Sequence, residues 1–100
     1  MKIKTGETNF EISVDESIFL SDADIPYNDD SESYILSADD YMWWSSFFVD
    51  YRVTQQKLDN LRSQLDYDQK HQLDDEIIKN VDSRDLSTLN DRINFVIDNF

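Results

Sequence analysis

Apolar and polar residues alternate from the first residue onward: Met1, Ile3, Phe10 and Ile12 are spaced by lysine, threonine, asparagine and glutamate within "MKIKTGETNFEI". A period of two marks a half-buried strand. Gly6-Glu7, in the middle, reads as a two-residue hairpin loop in which glycine supplies the positive φ of a type II′ turn. Counting outward from that loop sets Thr5 against Thr8, Lys4 against Asn9, Ile3 against Phe10, Lys2 against Glu11 and Met1 against Ile12. Apolar side chains then share one face, and an opposite-charge pair occupies the other. The spacing predicts a β-hairpin over residues 1–14.

Beyond that point the alternation stops. Residues 15–36 are mostly polar and acidic, broken by "SIFL" and by Pro26, and read as an acidic connection that runs extended over the surface. Residues 18–20 and 34–36 each have the composition of a short additional strand. A hairpin alone is marginal, so a third strand or a packed helix must back it. Pro26 argues against a central strand around it.

From Ser37 the period becomes helical. Ser37 is a good N-cap, and Asp39 and Asp40 suit the positive end of a helix dipole. Tyr41, Trp44, Phe48, Tyr51, Leu58 and Leu65 then fall on one stripe, with neither glycine nor proline to interrupt it, which predicts a long helix over residues 37–66. Two shorter helices are expected within residues 68–100, one marked by Leu73, Ile77 and Val81, the other by Leu86, Leu89, Ile93, Ile97 and Phe100. The expected class is α+β: an N-terminal hairpin, with room for a third short strand, packed on three helices of which the first is long.

Composition narrows this further. One hundred residues suit a single domain, with 39% hydrophobic content and thirteen aromatics to build its core. With no cysteine, neither disulfides nor thiolate–metal sites are available. No stretch is apolar enough to be a secretory signal or to span a bilayer. A formal charge of −13 opposes contact with anionic lipid and with nucleic acid itself. A cytoplasmic protein is expected, with no membrane and no direct nucleic acid among its partners.

The charge is unevenly placed. Residues 1–51 hold twelve acids and two lysines, whereas residues 52–100 hold ten acids and seven bases. In the second half Lys70 and Asp74, Asp75 and Lys79, and Asp59 and Arg62 stand at helical neighbour spacings and read as solvated helix faces. In the first half "SDADIPYNDDSESYILSADD" contains seven acids and no base. Were the segment extended, Asp22/Asp24 and Asp30/Glu32 would lie ~6.6 Å apart on one side, repelling by about 0.6 kcal/mol per pair in water. Carboxylates at such spacing can stand in for backbone phosphates and occupy the lysines and arginines of a nucleic-acid-binding groove. The competing reading is a solvated loop whose charge serves only solubility.

Other chemistry finds little support. Residues 22–33 resemble a calcium loop, but the glycine and glutamate required at its sixth and twelfth positions are Tyr27 and Ser33. His71 is the only histidine and lies in a polar helical turn. Gly6 is the only glycine, so no phosphate-cradling loop exists. Neither an enzyme nor a metal or cofactor site is expected. "YMWWSSFF" is the densest aromatic stretch; Trp44 and Phe48 are the core candidates, and Trp43 is the one most suited to an exposed contact or a homodimer interface.

Small size, strong acidity, absence of cysteine and an aromatic-rich helix together resemble the DNA-mimic inhibitors encoded by phages and mobile elements, among them anti-CRISPR and anti-restriction proteins and inhibitors of uracil-DNA glycosylase. The resemblance is one of type. It implies inhibition by occlusion and a phage or mobile-element origin, in which case the host cytoplasm is the site of action, and it transfers no site residue. The function expected is therefore an acidic binding protein that occupies the basic groove of a nucleic-acid-binding protein, a bacterial defence nuclease above all. Asp22, Asp24, Asp29, Asp30, Glu32, Asp39 and Asp40 would supply the charge, and Tyr27 and Trp43 an apolar grip. The alternatives are an immunity protein against a basic toxin and a small structural or assembly protein.

Overall fold

The computed structural model describes residues 1–100. Strands β1 (Lys2–Thr5) and β2 (Thr8–Glu11) pair antiparallel, with Lys2 opposite Glu11, Ile3 opposite Phe10, Lys4 opposite Asn9 and Thr5 opposite Thr8. The Ile12 amide donates to the Met1 carbonyl at 2.9 Å, which extends the predicted register to its last pair. Gly6 carries φ +55° and Glu7 is not among the positive-φ residues, as a type II′ loop requires.

The connection after the hairpin is not extended throughout. Residues 14–22 form a helix, α1 (Val14–Asp22), so residues 18–20 are helical and not a strand. The cause lies in Ser13 and Glu16: the Glu16 amide donates to Ser13 Oγ at 3.1 Å and the Ser13 amide donates to Glu16 Oε1 at 2.8 Å. This reciprocal capping box satisfies two amides that a helix start would otherwise leave unpaired. The other expected strand is present: β4 (Ser33–Ile35) runs parallel to β1, and a two-residue β3 (Tyr27–Asn28) pairs antiparallel with β4. The sheet is thus mixed, in the order β2-β1-β4-β3. Pro26 sits just before β3, on the sheet edge where a missing amide costs nothing, and its carbonyl accepts from the Ile35 amide at 3.2 Å.

Three further helices follow: α2 (Ala38–Arg62), α3 (Tyr67–Asn80) and α4 (Leu86–Asn99). Ser37 caps α2 as expected, its Oγ accepting from the Asp40 amide at 3.2 Å. The long helix stops at Arg62 instead of residue 66 because Asp66 begins the next one, capping the Gln69 amide at 2.9 Å while Gln69 Oε1 accepts from the Asp66 amide at 3.1 Å. With α1 the helices number four where three were expected, and α2 is the long one. The α+β class stands.

The chain divides into two compact units, Met1–Val49 and Asp50–Phe100. Each has its own set of buried side chains, and α2 supplies residues to both. In the first unit Ile3, Ile12, Leu20, Tyr34, Leu36, Trp44, Phe47 and Phe48 are buried. Phe48 has no exposed surface and stacks on Phe10 of β2 with ring centroids 6.5 Å apart, and Phe47 meets Phe19 of α1 edge to face at 5.5 Å. The N-terminal half of α2 is thereby fixed to both the sheet and α1.

In the second unit Leu73, Leu89, Ile93 and Val96 are buried together with Thr54, whose Oγ1 accepts from Asn94 Nδ2 at 3.1 Å. Arg62 pairs with Asp74, tying the end of α2 to α3. Arg92 Nε donates to the Asn80 carbonyl at 3.0 Å, satisfying a C-terminal acceptor of α3. These contacts replace the expected local pairs: Asp74 meets Arg62 and not Lys70, and Lys79 approaches Glu76 at 3.8 Å and not Asp75. A guanidinium on a long stem reaches a half-buried carboxylate on the next helix, which rewards it more than a fully solvated neighbour would.

Phe48→Ala removes the most buried ring of the first unit. A cost of about 3–5 kcal/mol is expected for that unit, read as a lower denaturation midpoint in urea with loss of near-ultraviolet aromatic dichroism.

Candidate functional site

All nine residues singled out from the sequence lie in the first unit, Met1–Val49. Two ends of the β3–β4 ribbon position five of the acids. At one end residues 29–32 form the loop between the strands. The Glu32 amide donates to the Asp29 carbonyl at 3.3 Å, the Ser31 amide to Asn28 Oδ1 at 3.1 Å, and Ser33 Oγ to the Ser31 carbonyl at 2.9 Å. These bonds hold the loop that carries Asp29, Asp30 and Glu32, all exposed.

At the other end α1 runs into β3. The Asp24 amide donates to the Ser21 carbonyl at 3.1 Å and the Ile25 amide to the Leu20 carbonyl at 3.1 Å, with Asp24 at φ 57°. This is a Schellman stop, in which the left-handed residue is normally glycine. Asp22 is the last residue of α1, and that last turn contains no base. Ser21 Oγ lies 3.0 Å from Tyr34 Oη, and the Tyr34 ring lies 4.8 Å from that of Tyr27, so the helix end is tied directly to the ribbon. The two ribbon ends are separated by about three strand residues, or roughly 10 Å.

Tyr27 faces both its buried neighbour and the loop acids. Partial desolvation, then the Glu32 and Asp29 carboxylates and Tyr34, raise its phenol above the ordinary tyrosine value. That electrostatic coupling sets Tyr27, Asp29 and Glu32 in one neighbourhood. Asp39 and Asp40 occupy the first turn of α2, with Trp43 one turn beyond Asp39 on the same side. Trp43 is 46% exposed, whereas Trp44, Phe47 and Phe48 are all buried; its ring stacks flat on Phe47 at 5.5 Å. No hydrogen bond or ring contact joins Asp39, Asp40 and Trp43 to the ribbon acids, so their placement comes from α2 alone.

None of the seven carboxylates forms an ion pair. The extended two-residue spacing expected for Asp22/Asp24 and Asp30/Glu32 is not what holds them, because Asp22 ends a helix and Asp30 and Glu32 belong to a turn. No group of histidine, cysteine or carboxylate residues is gathered closely enough to hold a metal ion. No helix is long and apolar enough to cross a membrane.

Sequence reading missed the backbone state of this surface. Asp24 at φ 57° and Glu32 at φ 51° are the two non-glycine residues in the left-handed region. Aspartate tolerates that region through local hydrogen bonding, but glutamate gains nothing there. Asp22 and Asp24 also stand at the negative end of the α1 dipole, where each acid is unfavourable. Fold stability therefore argues against the residue types at three of the seven positions.

Glu32→Asn and Asp24→Gly should each stabilise the first unit, by about 0.5–1 kcal/mol, read as higher urea midpoints. A loss of stability in both would remove the conflict described here. Comparison with family models, with curated proteins and with solved structures found no match, so the chemistry of this surface rests on its own residues.

Proposed function

We propose that this chain is an inhibitory binding protein whose acidic first unit enters the basic groove of a nucleic-acid-binding protein, a bacterial defence nuclease being the leading target, and excludes DNA or RNA from it. One observation carries this reading: seven exposed carboxylates without a single ion pair, three of them at positions where helix electrostatics or backbone conformation disfavours an acid. Charge retained against local stability points to selection by a partner and not by the fold.

The chemistry is that of a polyanion. The carboxylates of residues 29, 30 and 32 and those of residues 22 and 24 stand at the two ends of a short ribbon, roughly the reach of several phosphates along one strand. Each accepts charge-assisted hydrogen bonds from lysine or arginine, with bidentate geometry available to arginine. Tyr27 sits between the two groups, and its phenol and ring offer a contact that desolvates the surrounding pairs. On this reading attraction governs the encounter rate, and the aromatic contacts of Tyr27 and Trp43 govern how long the complex lasts.

The test measures cleavage of labelled DNA by defence nucleases across a salt series, with and without the protein. Inhibition should weaken steeply between low and physiological salt, and replacing Asp22, Asp24, Asp29, Asp30 and Glu32 by asparagine or glutamine should abolish it while leaving the fold intact. Inhibition insensitive to both changes would overturn the electrostatic mechanism. The phenol of Tyr27 gives a second readout. Its folded value lies above that of the unfolded chain, so the neutral form is favoured and ionisation is delayed to higher pH; a cationic partner cancels the Asp29 and Glu32 fields and should lower it, seen as earlier phenolate absorbance in the complex.

A further inference from the structure

Trp43 is the bulkiest of the exposed apolar side chains in the first unit and stands on the N-terminal half of α2. Its ring is held from two directions. Phe47 stacks on one face, 4° from parallel with centroids 5.5 Å apart, and Trp44 meets it edge to face at 5.0 Å. A flat ring with one face packed and 46% of its residue surface in water keeps the other face open. Helical side chains lean toward the N-terminus and cover the turn before their own Cα. Phe47 therefore reaches back onto Trp43, and Trp43 in turn reaches back toward Asp39 and Asp40, four and three residues earlier.

The helix dipole accounts for acids in a first turn, but not for an open indole face beside them. Both carboxylates are exposed and form no ion pair. The only bases of the first unit, Lys2 and Lys4, belong to β1 and pair with neither. An aromatic face attracts a cation through its quadrupole. Two carboxylates at the edge of that face accept hydrogen bonds from the same cation. A guanidinium meets both demands at once, because it is planar, stacks flat on a ring and donates from its rim as a fork. An ammonium is compact and strongly hydrated, so it meets the carboxylates but gains little from the ring.

We infer that the start of α2 is an arginine seat: a guanidinium of the protein partner stacks on the open face of Trp43 while Asp39 and Asp40 accept its N–H groups. The inference rests on the acidic-surface reading for the partner being basic, and goes beyond it in selecting arginine over lysine at one position. Charge alone supplies no such selection, since a polyanion attracts both cations to a similar degree.

Hexa-arginine and hexa-lysine amides carry the same charge and so separate the two claims. Calorimetric titration at low salt should give the arginine peptide about tenfold tighter binding. Trp43→Leu should bring the two peptides level. Trp43→Tyr, which keeps a ring face, should restore part of the preference, with helical dichroism unchanged in both variants. Replacing Asp39 and Asp40 by asparagine should also reduce the preference, whereas Asp29→Asn with Asp30→Asn should weaken both peptides alike and leave it intact. Equal binding of the two peptides to the unaltered protein would overturn the arginine seat and leave the acidic-surface reading standing; binding of neither would overturn both. A preference that survives Trp43→Leu, or that disappears with Asp29 and Asp30 instead, would put the selection elsewhere and overturn the inference as well.

Discussion

Burial of the aromatic edge of α2 is the interaction on which the first unit depends. Phe48 against Phe10 and Phe47 against Phe19 fasten one helix to the sheet and to α1 at once. A β-hairpin is marginal by itself, and a two-residue edge strand such as β3 is weaker still. What keeps β3 and β4 in place is the chain of contacts running inward: Tyr27 on Tyr34, Tyr34 beside Ser21, and Ile3 fully buried between its two neighbouring strands. The surface acids have a firm backing only because that apolar interior exists.

This backing allows the surface to be electrostatically poor. Two left-handed non-glycine residues, an acid at the foot of a helix dipole and seven unpaired carboxylates all draw on the same stability, and a small unit has little to spare. Cores and functional surfaces commonly stand in this opposition, with strain tolerated where the surrounding structure over-determines it. Here the over-determination is visible in the Schellman bonds around Asp24 and in the side-chain bonds within residues 28–33.

Period and turn chemistry made the hairpin legible down to its register, because a two-residue loop leaves one pairing that buries Ile3 and Phe10 together. The long helix was legible for the same reason: its stripe repeats over several turns. Helix α1 escaped because nine residues give too short a window for a 3.6 period, and "SIFL" reads equally well as a strand. The Ser13 and Glu16 spacing was the signal that would have found it. The division into two compact units has no signature in composition, because a continuous helix supplies buried residues to both and no linker marks the change. For the surface, charge was legible and conformation was not: no pattern predicts that glutamate, at residue 32, will occupy a left-handed position.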